Sequence, residues 1–186
     1  MHRKKLMVLA CCLALVFSFR AVALAAEPEP KVGQSVGNLT FPKPLSDEDA
    51  NYLGLDKRNV FALQDIKSPY VLVEQFKTSC PHCMAQAPVL NHLYSMVQQD
   101  AALQSKLKFL AMGQNNDENE VKMWKAFHKV PFPVLPDTIN TFGKALKFSA
   151  YPLIVVLDRS GKILFVHIGA FKNADEVLKG IRAVIK

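Results

Sequence analysis

The stretch Tyr70-Val71-Leu72-Val73-Glu74-Gln75-Phe76-Lys77-Thr78-Ser79-Cys80-Pro81-His82-Cys83 decides the fold. Its first half is rich in β-forming residues and apolar on both alternating faces, which is typical of an interior strand covered by helices on each side. Its second half places two cysteines three positions apart at the start of a helix predicted over residues 80–100. Unpaired N–H groups at a helix N-terminus favour a negative charge. The stretch therefore predicts a reactive thiolate where a strand meets a helix.

The first 25 residues are predicted to be a secretory signal peptide. A basic start over residues 2–5 precedes an apolar run over residues 6–19, and Ala23-Leu24-Ala25 forms a small-x-small cleavage site. The run is short for a membrane-spanning helix, so we expect cleavage and a periplasmic location, with membrane tethering as the alternative if the signal is retained. Cys11 and Cys12 leave with this segment.

Removal of the signal also lowers the net charge. The 186-residue chain has 23 Lys and Arg against 16 Asp and Glu, a formal charge of +7. Four of these cations and none of the acids lie in residues 1–25, which leaves 19 cations against 16 acids, or +3. A charge of this size gives little support to nucleic-acid binding. The length suits a single domain.

The chain after the signal divides into an irregular lead-in over residues 26–59 and a domain over residues 60–186. Short strands are predicted near residues 39–41 and 60–63. The further predicted elements are a strand over 107–112, a helix over 116–128, a non-helical segment over 130–136, a short helix to about 148, strands over 153–157 and 163–168, and a helix over 174–185. Met84 is expected on the packing stripe of the first helix, and Trp124 and Phe127 on that of the second.

A Cys-x-x-Cys pair serves as a redox dithiol, as half of a zinc site, or as a haem attachment when His follows. Met84 follows Cys83, which excludes the haem attachment. A structural zinc site normally needs four ligands, and no paired metal spacing occurs among His82, His92, His128 and His167. A bridge across so short a loop adds little stability. A redox dithiol is favoured, while zinc or copper binding and an inert bridge remain open.

Several of these features together resemble the thioredoxin superfamily: Cys80-Pro81-His82-Cys83 after an apolar strand, Pro88 five residues beyond the second cysteine, and Tyr151-Pro152 before a hairpin and the last helix. The resemblance implies an α/β thioredoxin-like fold, with a central mixed β-sheet and helices on both faces. The lead-in and the export signal resemble the TlpA/ResA-like thiol-disulfide oxidoreductases, which reduce disulfides. The Pro81-His82 dipeptide is instead similar to that of the disulfide-forming oxidase DsbA. A reductase is the leading hypothesis and an oxidase the alternative.

Position on the helix assigns the roles of the two cysteines. Cys80 is predicted to attack a partner disulfide, and Cys83, one turn further in, to resolve the mixed disulfide. His82 is expected to stabilise the Cys80 thiolate, or else to be an exposed residue of little effect. Glu74 lies six residues before Cys80, where thioredoxins carry a buried acid. It is the candidate proton acceptor for Cys83, with an ion pair to Lys77 as the alternative.

The resemblance also implies a substrate site and partners. Pro152 resembles the superfamily's cis-proline, so Pro81, Tyr151 and Pro152 are expected at the substrate site, where the backbone before Pro152 can pair with an added strand. No dissociable cofactor is implied, because the Cys80–Cys83 disulfide itself carries the electrons. The implied partners are cysteine-containing exported proteins, with apocytochromes c among the candidates, and a membrane thiol-disulfide electron carrier.

Overall fold

The structure, a computed structural model, describes residues 27–56 and 60–186, and the predicted signal peptide lies outside this part of the chain. In chain order the elements are β1 (Thr40–Pro42), α1 (Asp47–Leu53), β2 (Val60–Ala62), β3 (Tyr70–Phe76), α2 (Pro81–Gln99), β4 (Leu107–Gln114), α3 (Glu118–His128), β5 (Val134–Asp137), α4 (Thr141–Leu146), β6 (Leu153–Asp158), β7 (Ile163–Ile168) and α5 (Ala174–Val184). Within the described residues, no helix is both long enough and apolar enough to cross a membrane.

Five strands form the central sheet in the order β5-β4-β3-β6-β7. The middle strand β3 pairs parallel with β4 and antiparallel with β6, so the sheet is mixed and the predicted α/β class is confirmed. The carboxyl ends of β3 and β4 lie at the same end of the sheet. Because β6 runs the other way, its first residue also lies at this end, with Leu153 opposite Gln75. The cysteine loop and Pro152 are therefore at the same end of the sheet.

Helices cover both faces of the sheet, as predicted. The buried side chains of α2, α3 and α5 pack on one face, and those of α4 and the lead-in pack on the other. Successive residues of β3 alternate between the two cores: Leu72 and Phe76 belong to the first, Val71 and Val73 to the second. Contacts on both faces therefore fix the strand that leads to the cysteines.

The lead-in is more ordered than its lack of long periodicity predicts. The two short strands expected there are present as β1 and β2, which pair antiparallel. Between them lies α1, which the sequence analysis missed. Ser46 caps this helix by accepting a hydrogen bond from the Asp49 N–H at 3.0 Å. Phe41 and Leu53 are buried in the second core, so the lead-in covers one face of the sheet.

The segment over residues 130–136 was correctly predicted to be non-helical, but its strand β5 was missed. Pro133 and Pro136 argue against a strand in the interior of a sheet, because proline cannot donate to the ladder. β5 lies at the edge of the sheet, with Pro136 opposite Gly113. At an edge strand the missing donor is tolerated.

Two predicted packing residues are exposed instead. Met84 exposes 44% of its surface and Phe127 exposes 83%, whereas Trp124 is buried as expected. At about 100° per residue, Phe127 lies about 120° around the helix from the buried Val121, and His128 lies almost directly over it. Met84 lies about 100° around α2 from the buried Cys83. In each helix the adjacent residue is the less exposed one, Cys83 in α2 and His128 in α3, so both predictions were wrong by one position.

Candidate active site

Cys80 is the N-cap residue of α2, and Pro81 occupies the first position of the helix. The Cys80 Sγ accepts a hydrogen bond from the Cys83 backbone N–H at 3.3 Å. Cys80 exposes 7% of its surface and Cys83 exposes none, and both are free thiols in this structure. The Cys80 sulfur, which caps the helix, is thus the more accessible of the two. It lies at the positive end of the helix dipole.

The loop before Cys80 is held by Asn116, a residue that the sequence analysis did not select. The Thr78 N–H donates to Asn116 Oδ1 at 3.0 Å, and Asn116 Nδ2 donates to Thr78 Oγ1 at 2.7 Å. The Cys80 N–H donates to the Lys77 carbonyl at 3.1 Å. Asn116 follows β4 and is almost fully buried. The adjacent carboxyl ends of β3 and β4 therefore fix the position of Cys80.

Cys83 lies behind Cys80 in the first core. Burial raises the pKa of the Cys83 thiol, and the nearby Cys80 and Glu74 groups raise it further. The thiol form is consequently favoured in the reduced protein. To act as a nucleophile, Cys83 must first lose its proton to a neighbouring group.

Glu74 is a buried carboxyl group close enough to Cys83 to affect its pKa. It is 4% exposed, and its Oε1 accepts a hydrogen bond from Gln86 Nε2 at 3.1 Å. Burial raises the pKa of Glu74 from 4.5 to about 7, against the opposite effect of the Gln86 hydrogen bond. Glu74 therefore pairs with Gln86 and not with Lys77, which was the alternative expected from sequence. A carboxyl group with a pKa near 7 can exchange protons near neutral pH.

Gln86 is a functional candidate that the sequence analysis missed. Its side chain donates to Glu74, and its Oε1 accepts the Phe171 N–H at 3.3 Å, so it joins β3, α2 and the loop after β7. It is 1% exposed. The signal was available in the sequence, because Gln86 falls on the apolar stripe of α2 with Cys83 and Leu90. A polar residue on such a stripe needs a buried partner.

Tyr151 and Pro152 lie at the same end of the sheet as the cysteine loop, directly before β6. Their peptide bond is cis. The buried Gln75 holds the preceding loop, because its Nε2 donates to the Ala150 carbonyl at 2.9 Å and to the Phe148 carbonyl at 3.4 Å. Among the described residues, none hydrogen-bonds to the main chain of Tyr151. An unpaired main chain directly before the first residue of β6 is available for pairing with an added strand.

The remaining predicted residues of the site are exposed. Pro81 and His82 form the first turn of α2 and face solvent, and no hydrogen bond joins His82 to Cys80 within the described part of the chain. No three His, Cys, Asp or Glu side chains of residues 27–56 and 60–186 lie close enough together to hold a metal ion.

Comparisons with known proteins give the family. The model of the Redoxin family matches residues 27–182, which includes the lead-in. The thioredoxin-like protein YneN of Bacillus subtilis is 29% identical over 117 residues, covering 61% of this chain. The match spans 65% of the length of YneN. Because the Redoxin match begins at residue 27, the lead-in is part of the sequence pattern of the family.

Solved structures agree with this assignment at the level of the fold. A Chlorobium tepidum protein assigned as the thiol:disulfide interchange protein DsbE is 19% identical, with a TM-score of 0.64 over 85% of this chain and 100% of that one. A secreted disulfide oxidoreductase of Mycobacterium tuberculosis, homologous to E. coli DsbE, is 15% identical, with a TM-score of 0.56 over 78% of this chain and 95% of that one. The expected thioredoxin-like fold is confirmed, and the chain belongs to the redoxin family.

Proposed function

We propose that this protein is an exported thiol-disulfide oxidoreductase that reduces disulfides of cysteine-containing exported proteins through Cys80 and Cys83. One observation carries the proposal: the Cys80 sulfur caps the N-terminus of α2, with the buried Cys83 thiol one turn behind it. Cys80 is the more exposed of the two and can reach a partner disulfide, while burial raises the pKa of the Cys83 thiol and keeps it protonated until it is needed. The two sulfurs are thereby suited to attack and to resolution respectively.

The exchange runs in two steps. The Cys80 thiolate attacks one sulfur of the partner disulfide, forming a mixed disulfide and releasing the other partner sulfur as a thiolate. Cys83 then loses its proton and attacks the Cys80 sulfur, which releases the second partner thiolate. Two electrons pass from the Cys80–Cys83 dithiol to the partner disulfide, and the protein is left with its own disulfide.

Glu74 accepts the Cys83 proton in the second step, directly or through a water molecule. Its burial close to Cys83 and its pKa of about 7 support this role. Gln86 fixes the carboxyl group through the hydrogen bond to Oε1. Because Glu74 must be ionised to accept a proton, the resolving step should become faster as the pH rises through about 7.

The partner polypeptide binds next to Cys80, at the end of the sheet where Tyr151 and Pro152 lie. The unpaired main chain of Tyr151 supports strand addition there, and the exposed Pro81 directly follows Cys80. Main-chain pairing selects for an extended segment without selecting a particular sequence. Such a site suits exported proteins that are not yet folded, and apocytochromes c are candidates of this kind.

The direction of electron flow depends on how stable the reduced state is relative to the disulfide. Strong oxidants of this fold are oxidising because their reduced form is stabilised. Here His82 makes no hydrogen bond to Cys80 within the described residues, so that source of stabilisation for the reduced form is absent. Its absence favours a reducing dithiol. The Pro81-His82 dipeptide is the feature that supports the alternative, an oxidase.

Export supplies the setting for this activity. The signal peptide predicted over residues 1–25 and the secreted relative from Mycobacterium tuberculosis support a periplasmic or extracellular location. An oxidised protein in such a compartment needs electrons from outside it, so a membrane thiol-disulfide carrier is the proposed donor. Mass spectrometry of the exported protein should find an N-terminus at Ala26, and an intact residue 1–25 segment would indicate a membrane tether.

Trapping of the mixed disulfide tests the mechanism. Cys83→Ser removes the resolving thiol, so this variant should accumulate a covalent adduct with a disulfide-containing peptide, joined through Cys80. Cys80→Ser is the matched control and should form no adduct. Adducts on Cys80→Ser instead would reverse the assigned roles. An absence of adducts on both variants, with stoichiometric metal binding by the reduced wild type, would overturn the proposal in favour of a metal-binding module.

A further inference from the structure

The loop before Pro152, residues 148–151, is hydrogen-bonded to the first described residue of the lead-in. The Ser149 N–H donates to Glu27 Oε2 at 2.7 Å, and the Ser149 hydroxyl donates to Glu27 Oε1 at 3.4 Å. The two residues are 122 positions apart in the chain, so the contact depends on the folded structure. The exchange mechanism described above makes no use of Glu27.

Glu27 binds a main-chain group of the loop that the buried side of the domain leaves open. From that side, Gln75 Nε2 donates to the carbonyl oxygens of Phe148 and Ala150. Neither bond involves the Ser149 N–H, which lies between these two carbonyls in the chain and donates to Glu27. Gln75 and Glu27 therefore hold the loop from its buried and its exposed side respectively.

The segment that carries Glu27 is short and stiff. Pro28 and Pro30 follow it, and proline fixes the backbone φ angle and so reduces the conformational freedom of the chain. Pro30 is buried, and the Gly33 N–H donates to the Ile163 carbonyl of β7 at 2.8 Å. Little entropy is therefore lost when the Glu27 carboxylate binds the loop, although the carboxylate itself is exposed.

We propose that Glu27 is a positioning residue for exchange with polypeptide disulfides. By holding Ser149, it fixes the loop in which Tyr151, two residues further on, presents its main chain to the partner. The proposal rests on the proposed function, because the main chain of Tyr151 matters only where a partner strand is added. A loop that is ordered before binding loses less entropy when the partner binds. A small disulfide has no main chain to pair and should not depend on Glu27.

This role gives the lead-in a part in the site. Under the proposed cleavage after Ala25, Glu27 is the second residue of the exported protein. Loss of two residues from that N-terminus would remove the carboxylate and leave the buried Pro30 in place. The position of cleavage would thus affect exchange with polypeptides.

The test compares a peptide disulfide with a small disulfide, using the reduced exported protein. The peptide carries one cysteine, as a mixed disulfide with glutathione, and the whole has no net charge. In a single turnover the two thiols of the protein become a disulfide, and the peptide disulfide becomes a peptide thiol and glutathione, so no other reductant is needed. The dependence of the rate on peptide concentration separates the half-saturation concentration from the limiting rate. Hydroxyethyl disulfide, which has no polypeptide main chain, is the internal reference.

Glu27→Ala should slow the reaction with dilute peptide about fivefold, through a higher half-saturation concentration, and leave the rate with hydroxyethyl disulfide unchanged. Glu27→Gln keeps an acceptor oxygen and should retain most of the wild-type rate. Hydrogen exchange at the Ser149 amide should be faster in Glu27→Ala than in the wild type. Glu29→Ala is the matched control, because Glu29 is also exposed and lies two residues away. It should leave both rates unchanged.

Three results would overturn the positioning role while leaving the exchange reaction intact. An unchanged peptide rate or an unchanged exchange rate of the Ser149 amide in Glu27→Ala would mean that Glu27 does not hold the loop. Equal losses for the peptide and for hydroxyethyl disulfide would mean that Glu27 acts on the dithiol or on the fold. Equal losses in Glu27→Ala and Glu29→Ala would assign the effect to the negative charge of the lead-in. Failure of hydroxyethyl disulfide to oxidise the wild type would instead refute the proposed function, and the positioning role with it.

Discussion

Glu74→Gln isolates the effect of the buried carboxyl group on stability. In the folded chain burial raises the pKa of Glu74 from 4.5 to about 7, and its Oε1 accepts the Gln86 hydrogen bond. Glutamine has nearly the same shape and keeps an oxygen for Gln86, but it cannot ionise. The substitution therefore preserves the packing around β3 and removes the titration.

The raised pKa makes wild-type stability decline as the pH rises from 4.5 to about 7. In this window the folded state retains the Glu74 proton and the unfolded state has released it, so the folded state binds more protons and the free energy of unfolding falls with pH. Each pKa unit corresponds to about 1.4 kcal/mol, and the whole shift to about 3 kcal/mol. The free energy of unfolding of Glu74→Gln, measured relative to that of the wild type, should therefore increase by about 3 kcal/mol as the pH rises from about 4 to about 8.

Urea unfolding of the reduced proteins at a series of pH values measures this difference. A gain of about 3 kcal/mol corresponds to roughly 6–12 °C in Tm for a chain of this size. Glu176→Gln is the matched control, because Glu176 is exposed in the first turn of α5 and its loss should cost less than about 1 kcal/mol. A stability difference between Glu74→Gln and wild type that stays constant with pH would refute the raised pKa and remove the basis for the proton-acceptor role.

Two further substitutions test the residues around the dithiol. Gln86→Leu removes the hydrogen bond that lowers the pKa of Glu74, so the pH midpoint of the resolving step should move upward from about 7, measured as thiol release in stopped-flow experiments; an unchanged midpoint would exclude Gln86 as a positioning residue. Gln75→Leu frees the Phe148 and Ala150 carbonyls and should cost about 1–3 kcal/mol in urea unfolding, with a larger loss of rate for peptide disulfides than for hydroxyethyl disulfide. Equal losses for both substrates would mean that the loop before Pro152 does not contact the partner.

The sequence predicts those parts of the fold that have a local signal. β3 was predicted with its observed bounds, because seven residues of β-forming character end at a loop and a proline that begins a helix. The dithiol at the N-terminus of α2 follows from the same junction. By contrast, α1 has only about two turns and is stabilised mainly by burying Leu53, so its existence depends on the sheet that it covers.

The network behind the dithiol depends on long-range contacts and could not be predicted in full. Glu74 was selected as a buried acid, but its partner Gln86 lies twelve residues further along the chain and on another element. Asn116 meets Thr78 only because β3 and β4 are parallel neighbours. The exposure of Phe127 depends on the rotation of α3 against the sheet. The spacing of apolar residues along α3 predicts this rotation only to within about one residue position around the helix.

The equilibrium reduction potential of the Cys80–Cys83 pair, measured in dithiothreitol redox buffers, tests the central claim most directly. A reductase requires a dithiol that gives up its electrons readily, and the lack of a hydrogen bond from His82 to Cys80 within the described residues favours such a dithiol. We predict a potential near that of thioredoxin, about −270 mV. A potential near that of DsbA, about −120 mV, would contradict the account and assign the protein to disulfide formation.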